Sequence, residues 1–446
     1  MTADLLTLAQ AAPPDAALLM DADGALTYGA ALAQAVPLGE SWRDGVQGRR
    51  ALLRVGSARN ALLGMLALQA AGAQIFLLDI NRSDANRLVK AHGVGAVVNT
   101  RDGLPQRFHR FPMRGEQPGD GAQLVFFTSG TTGEPKAVAH RWETLLAPAR
   151  RDARYAGTRW LGSFPPTLYA GLQLLVQVVA NGATLVAPPD NDPRAIAAVL
   201  ADQHVEYAAA SPTFWRRLLR FGGPAEQWGA SLRGVTLGGE AADQTLLDEL
   251  CARLPHVRVS HIFATSEHGR CFAVHDGQAG FPADWLNHPL QDGVMVQTRD
   301  DQLWIRPVHG MAGYAGGAAD AQDDAGWRPT GDRVAVAEGR VRFLGRDGEM
   351  INVGGHKVAP LDVERVLAAV PGVAEILVYG RPSQVTGEIP AADVVPAPGV
   401  DGEALLAELK RAAHATLPPQ ARPRQWRVVE ALAVNAAGKA QRPTQD

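Results

Sequence analysis

Hydrophobic positions along the chain fall into short β-rich runs separated by longer stretches of helical spacing. Ala51-Leu-Leu-Arg-Val55, Gln74-Ile-Phe-Leu-Leu78 and Ala96-Val-Val98 have strand length, and the segments near 58–71 and 83–92 between them carry helical periodicity. That alternation predicts parallel α/β layers. The rhythm resumes with strand candidates at Trp160–Phe164, Ala183–Val186, Tyr207–Ala210, Val235–Leu237 and Val257–Phe263. Between 294 and 344 the strands crowd together, with Gln302-Leu-Trp-Ile-Arg306 and a hairpin-like pair at Val334–Ala337 and Val341–Leu344, which predicts a small β subdomain. From 345 onward a helix near 360–369, strands near 375–379 and 391–395, and a helix near 403–414 predict a separate α+β unit. The expected organisation is a large α/β N-terminal domain over 1–344 and a small mobile C-terminal domain over 345–446, joined at Gly345 to Gly348. Residues 99–120, rich in Gly, Pro, Arg and Asp, read as an exposed connection.

The length of 446 residues exceeds what a single core supports, so at least two domains are expected on size alone. A formal net charge of −3 gives no global pull toward nucleic acid or membrane. The N-terminus has no basic region ahead of an apolar stretch, and no apolar run of about 18 residues occurs, so no membrane span and a soluble cytoplasmic protein are expected. Cys251 and Cys271, the only cysteines, are too few for a disulfide framework and have no zinc-like spacing; both are expected to be buried small hydrophobes.

The chemistry concentrates first at Leu124-Val-Phe-Phe-Thr-Ser-Gly-Thr-Thr-Gly-Glu-Pro-Lys136, an apolar strand running into hydroxyls and glycines. Gly130 and Gly133 let backbone N–H groups face an anion. Thr128, Ser129, Thr131 and Thr132 add hydroxyl donors, and Lys136 adds a positive charge. A Walker loop needs Gly, four residues, then Gly-Lys-Ser/Thr, and neither Gly133-Glu-Pro-Lys136 nor Gly438-Lys439-Ala440 has that spacing.

The string Thr128 to Lys136 resembles the phosphate loop of the adenylate-forming, acyl-activating superfamily of acyl- and aryl-CoA ligases, adenylation domains and luciferases, and four further motifs follow in that family's order. Phe263-Ala-Thr-Ser-Glu267 is similar to the aromatic-Gly-x-Thr-Glu signature, with Ala264 and Ser266 as departures. The resemblance gives Glu267 the Mg²⁺ that bridges ATP phosphates, and places Phe263 against the adenine or the acid, beside Ser266. Thr330-Gly-Asp332 matches the family's Thr-Gly-Asp, which implies that Asp332 holds the ribose hydroxyls. Gly345 to Pro360 resembles the interdomain hinge and the strand beyond it. There Arg346 would bind ribose or phosphate, and Gly354 and Gly355 would line a pantetheine tunnel. The residue aligned with the usual hinge carboxylate is Gly348, with Glu349 next to it. Asn435-Ala-Ala-Gly-Lys439-Ala-Gln-Arg442 is similar to the C-terminal Gly-Lys motif, although Ala433 stands where a proline is usual. The family role implied for Lys439 is to bridge the acid's carboxylate and the α-phosphate.

The implied reaction has two steps: a carboxylate attacks the α-phosphate of MgATP to give an acyl-adenylate, and a thiol of CoA or of a phosphopantetheinylated acyl carrier protein then displaces AMP. The acid pocket is expected to draw on Leu168, Tyr169, the segment Ser211 to Phe214, Gly238, Gly239, Glu240 and Phe263, with Tyr169 either stacking on an aromatic acid or packing. Glu240 also counts among the nucleotide-binding candidates. A small aromatic acid such as a hydroxybenzoate is the expected substrate, with a medium-chain fatty acid as the alternative. A non-catalytic nucleotide-binding scaffold and a ligase acting through oxygen or nitrogen also stay open. His140, His261 and His268 lie near the motifs, and His268 is expected to be structural.

Overall fold

The structure, a computed structural model, describes residues 4–101, 103–104, 108–110, 123–128, 135–316, 321–435 and 439–443, excepting the side chain of Asp292. Its described residues form mixed α/β layers in a large N-terminal part and a smaller C-terminal part. One sheet has parallel central strands Arg50–Val55, Gln74–Asp79, Ala96–Asn99 and Leu124–Thr128, with Lys136–His140 and Gly313–Tyr314 added antiparallel on one side. Both faces of this sheet are covered, which is why its strands read as nearly continuous apolar runs. Leu53, Leu77 and Phe126 point into the largest core, while Leu52, Phe76 and Phe127 point the other way, onto the helix Ala85–Ala91. The helices Ala58–Ala70 and Tyr169–Ala180 enter the same large core and connect it to a second sheet through Leu19 and Leu185.

That second sheet runs in the order Gly269–Val274, Arg258–Thr265, Gly234–Gly238, Tyr207–Ala210, Arg159–Leu161, Thr184–Val186, Ala17–Asp21 and Gly24–Thr27. Strands Tyr207–Ala210, Gly234–Gly238 and Arg258–Thr265 are parallel, so their carboxyl ends gather on one edge, where open α/β sheets bind ligands. A third, antiparallel sheet contains Met295–Arg299, Gln302–Arg306, Arg328–Ala337 and Arg340–Arg346. The C-terminal part has its own core, with Ile351, Val363, Leu367, Val394 and Leu409 packed between the helices Pro360–Ala368 and Gly402–Thr416 and the hairpin of Val373–Ser383 with Gly387–Pro396.

The structure departs from the sequence reading in several places. The expected strand Trp160–Phe164 ends at Leu161, because Gly162 and then Pro165-Pro166 interrupt the ladder. The first fifty residues, for which no element was expected, include a hairpin and the helix Tyr28–Val46, whose Tyr28 hydroxyl donates to the Ala183 carbonyl at 2.8 Å. Cys271 is buried as expected, but Cys251 is exposed. On its helix the buried positions are Leu246, Leu247 and Leu250, and residue 251 falls outside that stripe. Among the described residues no helix is long and apolar enough to cross a membrane.

Candidate functional site

The carboxyl end of strand Gly234–Gly238 runs into Gly239 and Glu240, and the C-terminal motif comes to meet it. Asn435 and Lys439 meet there: the Asn435 N–H donates to the Lys439 carbonyl at 2.9 Å, and the Lys439 N–H donates to Asn435 Oδ1 at 3.2 Å. The Lys439 side chain then lies across Gly239. A Cβ at residue 239 would stand 2.7 Å from Lys439 Cε and 3.0 Å from Nζ, so a side chain there would push the lysine's flexible end aside, and φ of +84° is a backbone that favours glycine. Glu240 accepts from the Ala440 N–H at 2.9 Å and from the Thr213 hydroxyl at 3.1 Å through Oε1, and from the Thr213 N–H at 3.0 Å through Oε2. Thr213 lies in the first turn of helix Pro212–Phe221, where unpaired N–H groups favour a carboxylate. Burial pulls the Lys439 ammonium below its ordinary pKa, and the nearby Glu240 charge opposes that most.

Asp332 and Arg346, fourteen positions apart, are direct cross-strand partners in the third sheet. Their side chains approach to 3.5 Å, and Arg346 also donates to the Thr330 carbonyl at 2.9 Å. Burial raises the Asp332 carboxyl pKa, and Arg346 is the leading influence against it. Arg346 is half exposed and leads directly into a 3₁₀ turn over Asp347–Glu349. The carboxylate anchored to the third sheet at this junction is Asp347, held by Arg333 and by Gln302. It immediately precedes Gly348, the position aligned with the usual hinge carboxylate. Glu349 faces the other way, toward Arg442 at 3.2 Å.

On the first sheet, Thr128 and Lys136 are cross-strand partners. Ser129, Gly130, Thr131, Thr132 and Gly133 lie outside the described residues. Lys136 Nζ sits 5.3 Å above the Tyr314 ring, and the Tyr314 hydroxyl reaches Glu267 Oε1 at 3.5 Å. Tyr314 pairs with Val138, so Lys136 and the partner of Glu267 stand on adjacent strands. At the far end of strand Lys136–His140, buried His140 contacts the Ser266 carbonyl through Nε2 at 2.8 Å. Because a carbonyl only accepts, Nε2 carries the proton, and Nδ1 faces the Thr144 hydroxyl at 3.3 Å. Burial takes the His140 pKa down to about 4 and keeps the ring neutral, while the bond to Ser266 opposes that shift.

Two aromatic candidates are engaged in packing. Tyr169 is buried against Phe126 and His140, with centroids 6.0 and 5.8 Å away. Of its two expected roles, packing is the one its position serves. Phe263 stacks on Phe272 at 5.3 Å and on Phe343 at 5.2 Å, within the aromatic core beside the third sheet. A register shift directly after it, between Phe263 and Ala264, re-aims the chain toward Ser266 and Glu267. Leu168 is half-buried at the start of helix Tyr169–Ala180. A Cβ at Gly238 would meet nothing nearer than the Ile262 carbonyl at 3.9 Å, which leaves space beside it. His268 is buried and bonded through Nδ1 to the Thr265 hydroxyl at 2.9 Å, a structural role as expected. Gly354 and Gly355 form the two-residue turn between Ile351–Val353 and His356–Val358, with φ of +59° and +88°, and both are exposed.

The AMP-binding enzyme family model matches residues 89–299, and the AMP-binding enzyme C-terminal domain model matches 362–439. The chain belongs to the AMP-binding, adenylate-forming enzyme family. It is 28% identical over 296 residues to a long-chain-fatty-acid–CoA ligase of Mycobacterium tuberculosis, covering 62% of this chain and 58% of the relative. It is 29% identical over 339 residues to the 2-succinylbenzoate–CoA ligase of Bacillus licheniformis, covering 72% and 69%. The chain thus spans somewhat more than half to two-thirds of the length of these curated relatives. The solved structure of the anthranilate CoA ligase AuaEII with anthranoyl-AMP superposes with a TM-score of 0.80 at 17% identity, covering 98% of this chain and 95% of that one, a likeness of fold.

Within this family frame, several neighbours of the motif residues escaped the sequence reading. Tyr314, Arg333 and Gln302 lie in no motif, and reach the site only through strand register. Asp347 stood inside a quoted motif, one position before the residue aligned as the hinge carboxylate. Thr213, expected in the acid pocket together with Glu240, bonds both oxygens of that carboxylate. Among the described residues no cluster of three His, Cys, Asp or Glu side chains suits a metal. A lone Glu267 is compatible with Mg²⁺, which is commonly held by one or two carboxylates together with substrate phosphates.

Proposed function

We propose that the chain is an AMP-forming acid–thiol ligase that activates a carboxylic acid with ATP and passes the acyl group to a phosphopantetheine thiol. The observation that carries this reading is the seating of Lys439 on Gly239, with Asp332 and Arg346 within electrostatic reach of its ammonium. Lys439 would bridge the acid's carboxylate and the α-phosphate as negative charge shifts between them, a preorganised donor of the kind whose loss costs about a hundred- to a thousand-fold in rate. The acid oxygen forms a bond to the α-phosphorus, and the bond to pyrophosphate breaks. Asp332 would accept both ribose hydroxyls, with Arg346 holding the carboxylate in place. Lys136 would meet the phosphates together with the loop from Thr128 to Gly133, and Glu267 would hold Mg²⁺. The bound ion would neutralise phosphate charge.

In the second step the thiol sulfur attacks the acyl carbon and AMP leaves. For this step residues 345–446 would turn about Gly348, withdrawing Lys439 and bringing the Gly354–Gly355 turn to the site. A small aromatic acid of the hydroxybenzoate class is the proposed substrate, since both the 2-succinylbenzoate and anthranilate ligases named above act on aromatic acids. The fatty-acid ligase among the relatives supports a medium-chain acid as the second reading.

The test is intact-mass detection of thioester with MgATP and acids from benzoate and hydroxybenzoates to C6–C12 fatty acids, with CoA and carrier protein offered in parallel. A product from one acid class that disappears in Lys439→Ala supports the reading. ATP binding without product from any acid would favour a non-catalytic scaffold.

A further inference from the structure

Glu240 sits in the N-terminal part, yet it holds the C-terminal lysine segment. It grips the Ala440 backbone at 2.9 Å while Thr213 fixes both of its oxygens from behind, at 3.0 and 3.1 Å. The carboxylate therefore has a rigid base on helix Pro212–Phe221, itself capped by the Ser211 hydroxyl, which accepts from the Phe214 N–H at 3.1 Å. The residue it grips is next to Lys439, whose side chain crosses the adjoining Gly239.

We propose that Glu240 is a positioning residue for Lys439: it docks the lysine segment onto the N-terminal part before any ligand is bound. Docking is geometric. A single carboxylate oxygen takes a backbone N–H from one part of the protein and a hydroxyl from the other, so undocking leaves the Ala440 donor without this acceptor. The charge around the seat accords with the docking. The charged groups facing Lys439 are Glu240, Asp332 and Glu349, which favour the ammonium, and Arg346, which disfavours it. Burial also disfavours the charged form, and Glu240 is the largest of the compensating influences.

The docking does not depend on the ligase reading, whose own test is acid-dependent ATP–pyrophosphate exchange, so the two can fail separately. Docking is read without turnover, by pulse acetylation of the ligand-free protein and peptide mass analysis of Lys439, with exposed Lys410 as the internal reference. Glu240→Ala removes the grip, and acetylation at Lys439 should rise at least tenfold while Lys410 is unchanged. Glu240→Gln retains an acceptor for the Ala440 N–H and should stay near the parent rate. A matching melting transition for each variant excludes misfolding. Unchanged labelling at Lys439 in Glu240→Ala overturns the docking role, and so does labelling in Glu240→Gln that rises as far as in Glu240→Ala. If the parent itself shows no exchange with any acid, the ligase reading fails and the labelling result still decides the docking.

Discussion

Asp347 and Glu349, two positions apart on one 3₁₀ turn, are held by different parts of the chain. Arg333 and Gln302 of the third sheet hold Asp347, whereas Arg442 from the C-terminal end holds Glu349. Between them Gly348 is exposed, and a Cβ there would meet nothing within 4 Å. Any relative rotation must be absorbed in this short stretch, and a side chain at 348 would be sterically harmless. Gly348→Pro, which restricts φ, should therefore preserve folding and ATP–pyrophosphate exchange within about threefold while slowing thioester formation tenfold or more. Stopped-flow release of AMP against release of pyrophosphate measures the split. Equal slowing of both would count against a pivot here.

Arg442 makes the second pairing of that junction and carries a stability consequence. It binds Glu364 at 3.0 Å, Glu349 at 3.2 Å and the Val378 carbonyl at 3.0 Å. Burial raises the Glu364 pKa, and Arg442 is the main influence against it. Arg442→Ala strands a buried carboxylate and should cost about 3 kcal/mol at neutral pH. A carboxyl whose folded pKa is raised holds its proton more tightly than the unfolded chain does. Stability therefore falls as pH rises from its ordinary value of 4.5 through the folded value, and removal of Arg442 extends that window upward. The deficit of the variant should shrink as pH drops toward 4.5. Urea midpoints at pH 7.5 and pH 5 give the comparison.

His140 behaves with the opposite sign. Its folded pKa of about 4 lies below the ordinary 6.5, so its contribution is complete above 6.5 and is lost as pH falls from 6.5 to 4. The expected loss is about 1.4 kcal/mol per pH unit within that window. In His140→Asn the slope of stability against pH between 6.5 and 4.5 should be shallower than the parent's by up to that amount. The same variant loosens the Ser266 carbonyl next to Glu267, so apparent affinity for MgATP should weaken several-fold at pH 7.5. Parallel slopes in the two proteins would refute the assignment of a neutral, buried ring.

Gly239→Ala tests the seat of the lysine. The substitution places a methyl 2.7 Å from Lys439 Cε at a residue with φ of +84°. Backbone strain of about 1–2 kcal/mol is expected, together with at least a tenfold loss of pyrophosphate exchange. Lys439→Ala should lose about a hundred- to a thousand-fold in the same assay. It should still convert a supplied acyl-adenylate to thioester, because in the proposed mechanism the lysine is withdrawn for that step.

The layered fold was legible because strands such as Arg50–Val55 and Gln74–Asp79 are buried on both faces, which forces continuous apolar runs of strand length. The motif residues were legible as chemical types, and Asp332, Arg346 and Glu240 do converge within electrostatic reach of Lys439. What sequence does not carry is register and facing. The two faces of Phe263's strand could not be told apart, because an aromatic at a strand end serves a ligand or a core equally well on pattern alone. Tyr314 was invisible for a related reason: nothing near Gly313 announces that its two-residue strand pairs with Ala139 and Val138. The N-terminal hairpin and helix were missed because the helix carries Pro37 and three glycines, which read as breakers, and Tyr28 secures it through a hydroxyl bond to a residue 155 positions away.

The grip on the lysine segment has an evolutionary side. Glu240 holds residue 440 by its backbone N–H, a group that every amino acid but proline supplies. Lineages are thus free to drift at position 440 without disturbing the contact, and selection has only the carboxylate end to preserve. Searches for co-varying pairs between the two parts of such proteins would pass over this contact, since one of its partners leaves no trace in the amino-acid alphabet.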